Sequence, residues 1–186
     1  MNWGECYFDH YSKFFGEPVV RRAFEPFGSQ WSLQVLEYAK VFAGCRVFAT
    51  LGLSHYSREL GGVAEVIVPS DDGWDDVPPL LANALSLAIR EEIPILRGTS
   101  IGGVGHISPL FGARFSKEAI YLTRPHNLPE GALAVKCGHE MGKLLLGMFL
   151  SAEEAALLWA DGPDALEDAL EAGGADPFHL LRDSVV

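Results

Sequence analysis

The chain is short of cysteine, of basic residues and of long apolar runs. Its three cysteines, Cys6, Cys45 and Cys137, are widely spaced and odd in number, which argues against a disulfide framework and predicts reduced thiols in the core. The longest nearly apolar stretches, 80–89 and 144–150, are shorter than the roughly 20 residues that cross a bilayer, so no membrane segment is predicted. The first residues lack the basic start and apolar run of a secretion signal, which predicts a cytoplasmic location.

The charge is strongly unbalanced towards acid. Lys and Arg number 14 against 25 Asp and Glu, and the formal net charge is −11. Such a charge disfavours nucleic acid and anionic membranes as partners and favours a basic protein. Residues 151–176 contain many of the acids and no Lys or Arg. This stretch is either a solvated helical face or a docking surface, and in the second case the candidate partner-binding residues are Glu153, Glu154, Asp164 and Asp168.

The composition is that of a globular protein with many turns. The 186 residues include 48% hydrophobic residues, 20 glycines and 11 prolines, and the length is sufficient for one large core. We find no internal repeat and no change of composition that would mark a linker. The sequence therefore predicts one α+β domain over residues 1–186, with a mixed, mainly antiparallel sheet flanked by helices.

Four stretches have the periodicity or end signals of helices. The first places Tyr7 and Tyr11 on one face and has Gly16 as a C-terminal cap. The second begins at 75–78, with acids and a proline in its first turn, and runs to about residue 92. The third begins at Ser151 with Glu154 in a capping box, and its apolar face comprises Ala155, Leu158 and Trp159. The fourth runs from Asp164 to the glycines at 173 and 174.

Strands are predicted at 46–54, 63–69, 119–124 and 133–137, while 18–27 is extended with Arg21 and Arg22 at a sheet edge. Residues 33–39 fit either a short helix or a strand. In the strand 46–54, Gly52 removes a side chain where a neighbouring backbone could approach closely. Ser54 follows Gly52, but position 56 is Tyr, so the glycine pattern of a serine-hydrolase nucleophile is broken.

No cofactor or metal site is predicted. The glycine-rich stretch 98–105 is predicted to be a surface loop, since it lacks the lysine and hydroxyl pair of a phosphate-binding loop and its glycines do not form a dinucleotide fingerprint. Cys137 and His139 have no second Cys or His pair at ligand spacing. A small enzyme that uses His106, Cys137 and His139 around the glycine-rich stretch is the alternative to a binding protein, and it requires these groups to converge in one pocket.

Several short motifs resemble those of the suppressor of fused (SUFU) domain family, bacterial type. Thr50, Gly52 and Ser54 match a T-x-G-x-S strand that leads into the E-L pair at 59–60. Residues 10–16 are similar to the opening H-Y-x-x-x-F-G helix, Gly105-His106 stands ahead of a proline, and Arg182-Asp183-Ser184 matches a terminal R-x-S.

The resemblance implies a non-enzymatic protein-binding domain and favours a strand at 33–39. It makes Ser54, His106 and Arg182 further candidate partner-binding residues, although Arg182 could equally be a structural tether that pairs with a carboxylate. The implied partner is a protein, either a basic toxin that this chain would neutralise as an immunity protein or an extended peptide that adds to a sheet edge.

Overall fold

The computed structural model describes residues 2–26, 30–39, 41–71, 73–126, 128–129, 131–174 and 176–186, and within these ranges eight strands form one sheet. The strands are β1 (Val20–Phe24), β2 (Leu33–Tyr38), β3 (Arg46–Leu51), β4 (Ala64–Ser70), β5 (Ser100–Gly102), β6 (Ala119–Thr123), β7 (Ala134–Cys137) and β8 (Glu140–Leu150). The α-helices are α1 (Trp3–Phe15), α2 (Val77–Arg90), α3 (Val104–Ile107), α4 (Pro109–Phe115), α5 (Ala152–Asp161) and α6 (Pro163–Gly173).

The sheet has the strand order β1-β2-β3-β4-β8-β6-β5, and β7 also pairs with β8. The pair β4–β8 is parallel and the other neighbours are antiparallel. This confirms the predicted α+β class with a mixed, mainly antiparallel sheet, and the ambiguous stretch 33–39 is a strand. The sequence reading missed β8 because its second half is buried on both faces, so it lacks the alternation that marks a half-exposed strand.

Helices cover both faces of the sheet because its strands alternate apolar residues between two cores. In β4, Val66 and Val68 pack with α2, α3 and α4, whereas Ile67 packs with α1, α5 and α6. Within the described residues, no helix is both long enough and apolar enough to cross a membrane.

The opening helix forms as predicted. Tyr7 and Tyr11 are fully buried, and their hydroxyls donate hydrogen bonds to the backbone oxygens of Lys143 (2.7 Å) and Thr50 (3.0 Å). Gly16 ends the helix with a positive φ of 82°, and its N–H bonds to the carbonyl of Ser12. Two hydrogen bonds from buried tyrosine hydroxyls therefore hold the helix against the sheet.

The prediction that all three thiols are reduced is wrong for two of them. Cys6 and Cys137 form a disulfide with a Cα–Cα distance of 5.6 Å, while Cys45 is a free, buried thiol. The two residues are 131 positions apart in the chain and meet because α1 packs against β7, a tertiary contact that cysteine spacing cannot reveal. Disulfides are typical of oxidising compartments. The cytoplasmic location stays a prediction.

Three local predictions differ from the structure. The strand predicted at 46–54 ends at Leu51, and a 3₁₀ helix over Leu53–Tyr56 follows, because Gly52 turns the chain with a φ of 118°. The glycine-rich stretch is not only a loop, since it contains β5 and the start of α3. Trp159, expected on the apolar face of α5, is 67% exposed and donates a hydrogen bond to the Ser100 hydroxyl.

Candidate functional site

The segment from Thr50 to Ser54 binds a buried carboxylate. Glu65 on β4 is fully buried and accepts hydrogen bonds from the Thr50 hydroxyl (2.6 Å) and from the backbone N–H groups of Gly52 (2.8 Å) and Ser54 (3.3 Å). The Thr50 oxygen also accepts from the N–H of Val66 at 2.8 Å. Burial raises the pKa of Glu65 to about 7, although the Thr50 and backbone hydrogen bonds act in the opposite direction.

The same packing explains why position 52 is a glycine and why the Ser54 side chain is buried. A Cβ on Gly52 would lie 2.7 Å from the backbone oxygen of Ser32, in addition to the strain of its positive φ. Ser54 is buried, and its hydroxyl has no hydrogen-bond partner among the described residues. The motif therefore joins β3 to β4 and is part of the architecture.

Arg182 and Glu154, both predicted as partner-binding residues, bind each other inside the fold. The Arg182 guanidinium forms an ion pair with both oxygens of Glu154 and donates to the backbone oxygen of Phe149 at 3.2 Å. Burial alone would raise the pKa of Glu154, but the Arg182 hydrogen bond and the N–H groups of Ser151 and Val185 hold it below its ordinary value. The pair fixes the C-terminal segment against α5.

Apart from the buried Glu154, the acidic residues predicted for binding on α5 and α6 are exposed. We call the exposed acids of this region the acidic surface; its members lie on α5, on α6 and in the segment that follows, and they are Glu153, Asp161, Asp164, Asp168, Glu171 and Asp176. All of these side chains are exposed, and no Lys or Arg lies between positions 151 and 176. Of the residues predicted for binding, Glu153, Asp164 and Asp168 are thus exposed, and Asp164 forms an ion pair with Arg97.

A cleft lies beside α6 and borders the acidic surface. We call it the α6 cleft; its volume is about 610 Å³, and it is lined by Arg97, Thr123, Arg124, Pro125, His126, Met148, Glu167, Leu170, Glu171 and Pro177. This volume is in the range of ligand sites in proteins. The floor is apolar and the charged groups lie around it, which is the usual organisation of a binding pocket.

Glu167 is held in a fixed position at the α6 cleft. It accepts hydrogen bonds from the hydroxyls of Tyr121 (2.7 Å) and Thr123 (2.6 Å), and Arg97 donates to it at 2.5 Å and to Asp164 at 2.6 Å. Burial raises the pKa of Glu167, but the hydrogen bonds from Arg97, Thr123 and Tyr121 outweigh burial and lower it overall. The carboxylate is therefore ionised and oriented at neutral pH.

The residues of the enzyme alternative do not converge. His106 is exposed on α3, which packs on one face of the sheet, whereas Cys137 lies on β7 against α1 on the other face and is joined to Cys6. His139 is exposed in the turn between β7 and β8. The arrangement offers no thiolate, and no group of three or more His, Cys, Asp and Glu able to hold a metal occurs in the described part of the chain.

Sequence reasoning missed Glu65, Arg97 and the α6 cleft. The sequence does indicate a special role for Glu65, because it is the single charged residue in the apolar strand 63–69 and a buried charge requires partners. Arg97 and Glu167 are 70 residues apart, and nothing in their local sequence indicates that they meet.

A mixed sheet between two layers of helices defines an α+β domain. The particular fold is that of suppressor of fused. The structure is similar to a SUFU homologue from Neisseria gonorrhoeae, with a TM-score of 0.72 and 14% identity over 99% of this chain and 97% of that chain.

Two further solved structures have the same fold. One is a Sufu–Fu complex, with a TM-score of 0.68 and 12% identity over 97% of this chain and 91% of that one. The other is Drosophila Suppressor of Fused, with a TM-score of 0.64 and 11% identity over 99% of this chain and 50% of that one, so this chain spans half of its length. No protein-family model and no curated protein sequence matches the chain.

Proposed function

We propose that this chain is a non-enzymatic protein-binding domain whose acidic surface docks a basic partner. The observation that carries the proposal is the exposure of the acids on α5 and α6 without a Lys or Arg in the same stretch. Such a surface raises the association rate of a cationic protein and disfavours acidic competitors.

Two observations support a binding role over catalysis. One of the structures with this fold is a Sufu–Fu complex, which makes a protein the first candidate partner for this chain. The candidate nucleophile Cys137 is held in a disulfide, and His106 lies on the opposite side of the sheet. The disulfide leaves Cys137 without a thiolate, and His106 is not placed to activate that sulfur.

The partner that best fits the charge is a basic toxin, which this chain would neutralise as an immunity protein. Neutralisation by binding requires no chemistry, only a complementary surface that forms a complex quickly and holds it. The net charge of −11 favours a cationic partner at long range, and the acidic surface supplies the local complementarity.

Co-expression tests the proposal directly. The product of the adjacent gene is expressed with this chain, any complex is purified, and rescue of host growth is scored. The acidic-surface variant carries three substitutions that each remove an exposed charge: Glu153→Gln, Asp161→Asn and Asp168→Asn. We expect this variant to lose both the complex and the rescue.

A matched control keeps the result interpretable. Glu5→Gln, Asp9→Asn and Glu17→Gln remove the same number of exposed charges from the region of α1. The control should retain the complex and the rescue. Equal behaviour of the two variants would overturn the acidic surface as the docking site.

Capture of an extended peptide at a sheet edge is a second mode of binding, favoured by β1. This strand is five residues long, four of its side chains are exposed, and no described strand pairs with its outer edge. Photo-crosslinkers at Val20 and at the control position Leu110 discriminate between the modes, since strand addition labels the partner at β1. A purified complex in which the crosslinker at Val20 labels no partner would reject strand addition.

A further inference from the structure

We propose that the α6 cleft binds the C terminus of a peptide that ends in Lys or Arg. The inference rests on the proposed function, because it names the part of a basic partner that this chain would recognise. It requires a carboxylate site, a cation site and an apolar surface, and the cleft has all three.

The carboxylate site is formed by Arg124 and His126. Both residues are exposed and lie two positions apart in the segment that follows β6. Arg124 makes no ion pair or hydrogen bond with any residue in the described ranges. The His126 ring stacks on the buried Phe178 ring with a centroid distance of 5.7 Å, which holds this histidine in the wall of the cleft.

Arg97, the other arginine of the cleft, is already neutralised. Its guanidinium binds Asp164 and Glu167, so a ligand carboxylate would have to compete with two protein carboxylates there. Arg124 is consequently the cation in this cleft that is available to an anion. An arginine that binds a carboxylate through paired hydrogen bonds is among the stronger polar contacts in proteins.

The cation site is formed by Glu171. Glu171 is exposed on α6, one helical turn after Glu167, and both line the cleft. The same cleft is also lined by Met148, Leu170 and Pro177, against which the aliphatic stem of a lysine or arginine can pack. The next side chains of a basic peptide would reach the acidic surface.

A simple anion or a simple cation fits this cleft less well. The cleft is lined by two arginines and two glutamates, so their charges cancel. The neighbouring helices α5 and α6 contain acids and no Lys or Arg, and they repel a ligand that carries only negative charge. A chain terminus that combines a carboxylate with a basic side chain satisfies both walls at once. Charge complementarity thus selects a basic C terminus over an internal basic segment, which has no terminal carboxylate.

A pair of synthetic peptides tests the inference. Both have the sequence Gly-Lys-Gly-Ala-Leu-Arg, one with a free C-terminal carboxylate and one with a C-terminal amide, and their affinities for the full chain are measured by calorimetry. We expect the free acid to bind at least about tenfold more tightly than the amide, as for loss of one charge-assisted contact. In Arg124→Gln this ratio should fall to about one.

Arg58→Gln is the matched control, since Arg58 is exposed and lies far along the chain from the cleft residues. It should keep the wild-type ratio of acid to amide. Equal affinities of the two peptides for the wild-type chain, or no detectable binding of either, would overturn the inference, as would a ratio that survives in Arg124→Gln.

The outcome is separable from that of the proposed function. If the peptides fail while the full partner still requires the acidic surface, only the cleft inference fails. If the ratio of acid to amide behaves as expected while the partner binds the acidic-surface variant as well as the wild type, the docking proposal fails and the cleft inference stands.

Discussion

The stability of the fold should decrease as pH rises, because of Glu65. The carboxyl is fully buried and its pKa is about 7 in the folded protein, against an ordinary value of 4.5. A folded-state pKa above the unfolded one means that the folded protein binds the proton more tightly. The group therefore favours folding when protonated, and this advantage is lost progressively as pH rises from about 4.5 to about 7.

The magnitude follows from the two pKa values. Their difference corresponds to a contribution of Glu65 to the free energy of unfolding of about 3 kcal/mol. Of this contribution, about 2 to 3 kcal/mol is lost between about pH 5 and about pH 8. Urea denaturation followed by tryptophan fluorescence measures it at each pH. Glu65→Gln retains one acceptor oxygen without a titrating group, so its profile should be flatter than that of the wild type by this amount.

Comparison of the Glu65→Gln profile with that of the wild type removes every contribution that the two proteins share. Glu140→Gln is the surface control, because Glu140 is exposed in the β7–β8 turn region, and it should reproduce the wild-type profile. The reasoning is refuted if Glu65→Gln and the wild type lose the same stability between about pH 5 and about pH 8.

Three further substitutions probe the contacts that fix the fold, each read out as the free energy of unfolding. Gly52→Val should destabilise by about 1 to 3 kcal/mol, because the new side chain meets a backbone oxygen and requires a positive φ. Arg182→Met should destabilise by about 3 to 5 kcal/mol, since it leaves the buried Glu154 carboxylate without its ion pair. Cys6→Ser should destabilise by roughly 2 to 5 kcal/mol through loss of the bridge to Cys137.

Each substitution has a control. Gly73→Ala introduces a Cβ that has no atom of another described residue within 4 Å beyond its chain neighbours, Arg58→Met removes an exposed arginine, and Cys45→Ser removes the free thiol. Gly73→Ala and Arg58→Met should leave stability nearly unchanged. A reductant should lower the melting temperature of the wild type and of Cys45→Ser but not of Cys6→Ser. A stable Gly52→Val or Arg182→Met would contradict the contact assigned to that residue.

The sequence predicted those parts of the fold that depend on local pattern. The amphipathic opening helix, the capping box at Ser151 and the helix that ends near Gly173 all have signals within a few residues, and the structure contains each of them. The apolar half of β8 has no such signal, because a strand buried on both faces and a short buried helix have the same composition.

The site was less predictable than the fold because its groups meet through tertiary contacts. The acids of α5 and α6 were visible as a run without basic residues; Glu153, Asp164 and Asp168 are exposed, whereas Glu154 is buried. Arg182 was predicted either to bind a partner or to tether the chain by pairing with a carboxylate or with helix carbonyls, and the structure contains its pairing with Glu154. The disulfide, the role of Glu65 and the α6 cleft each depend on residues brought together from distant positions, which local patterns do not encode.

The association rate with the basic partner, measured at about 50 mM and about 500 mM salt, tests the docking claim most directly. For the wild type and for the Glu5, Asp9 and Glu17 control, the rate should fall by about tenfold or more as salt rises. For the acidic-surface variant it should be low at both salt concentrations. A wild-type rate that does not change with salt, or an acidic-surface variant as fast as the wild type at low salt, would contradict the account.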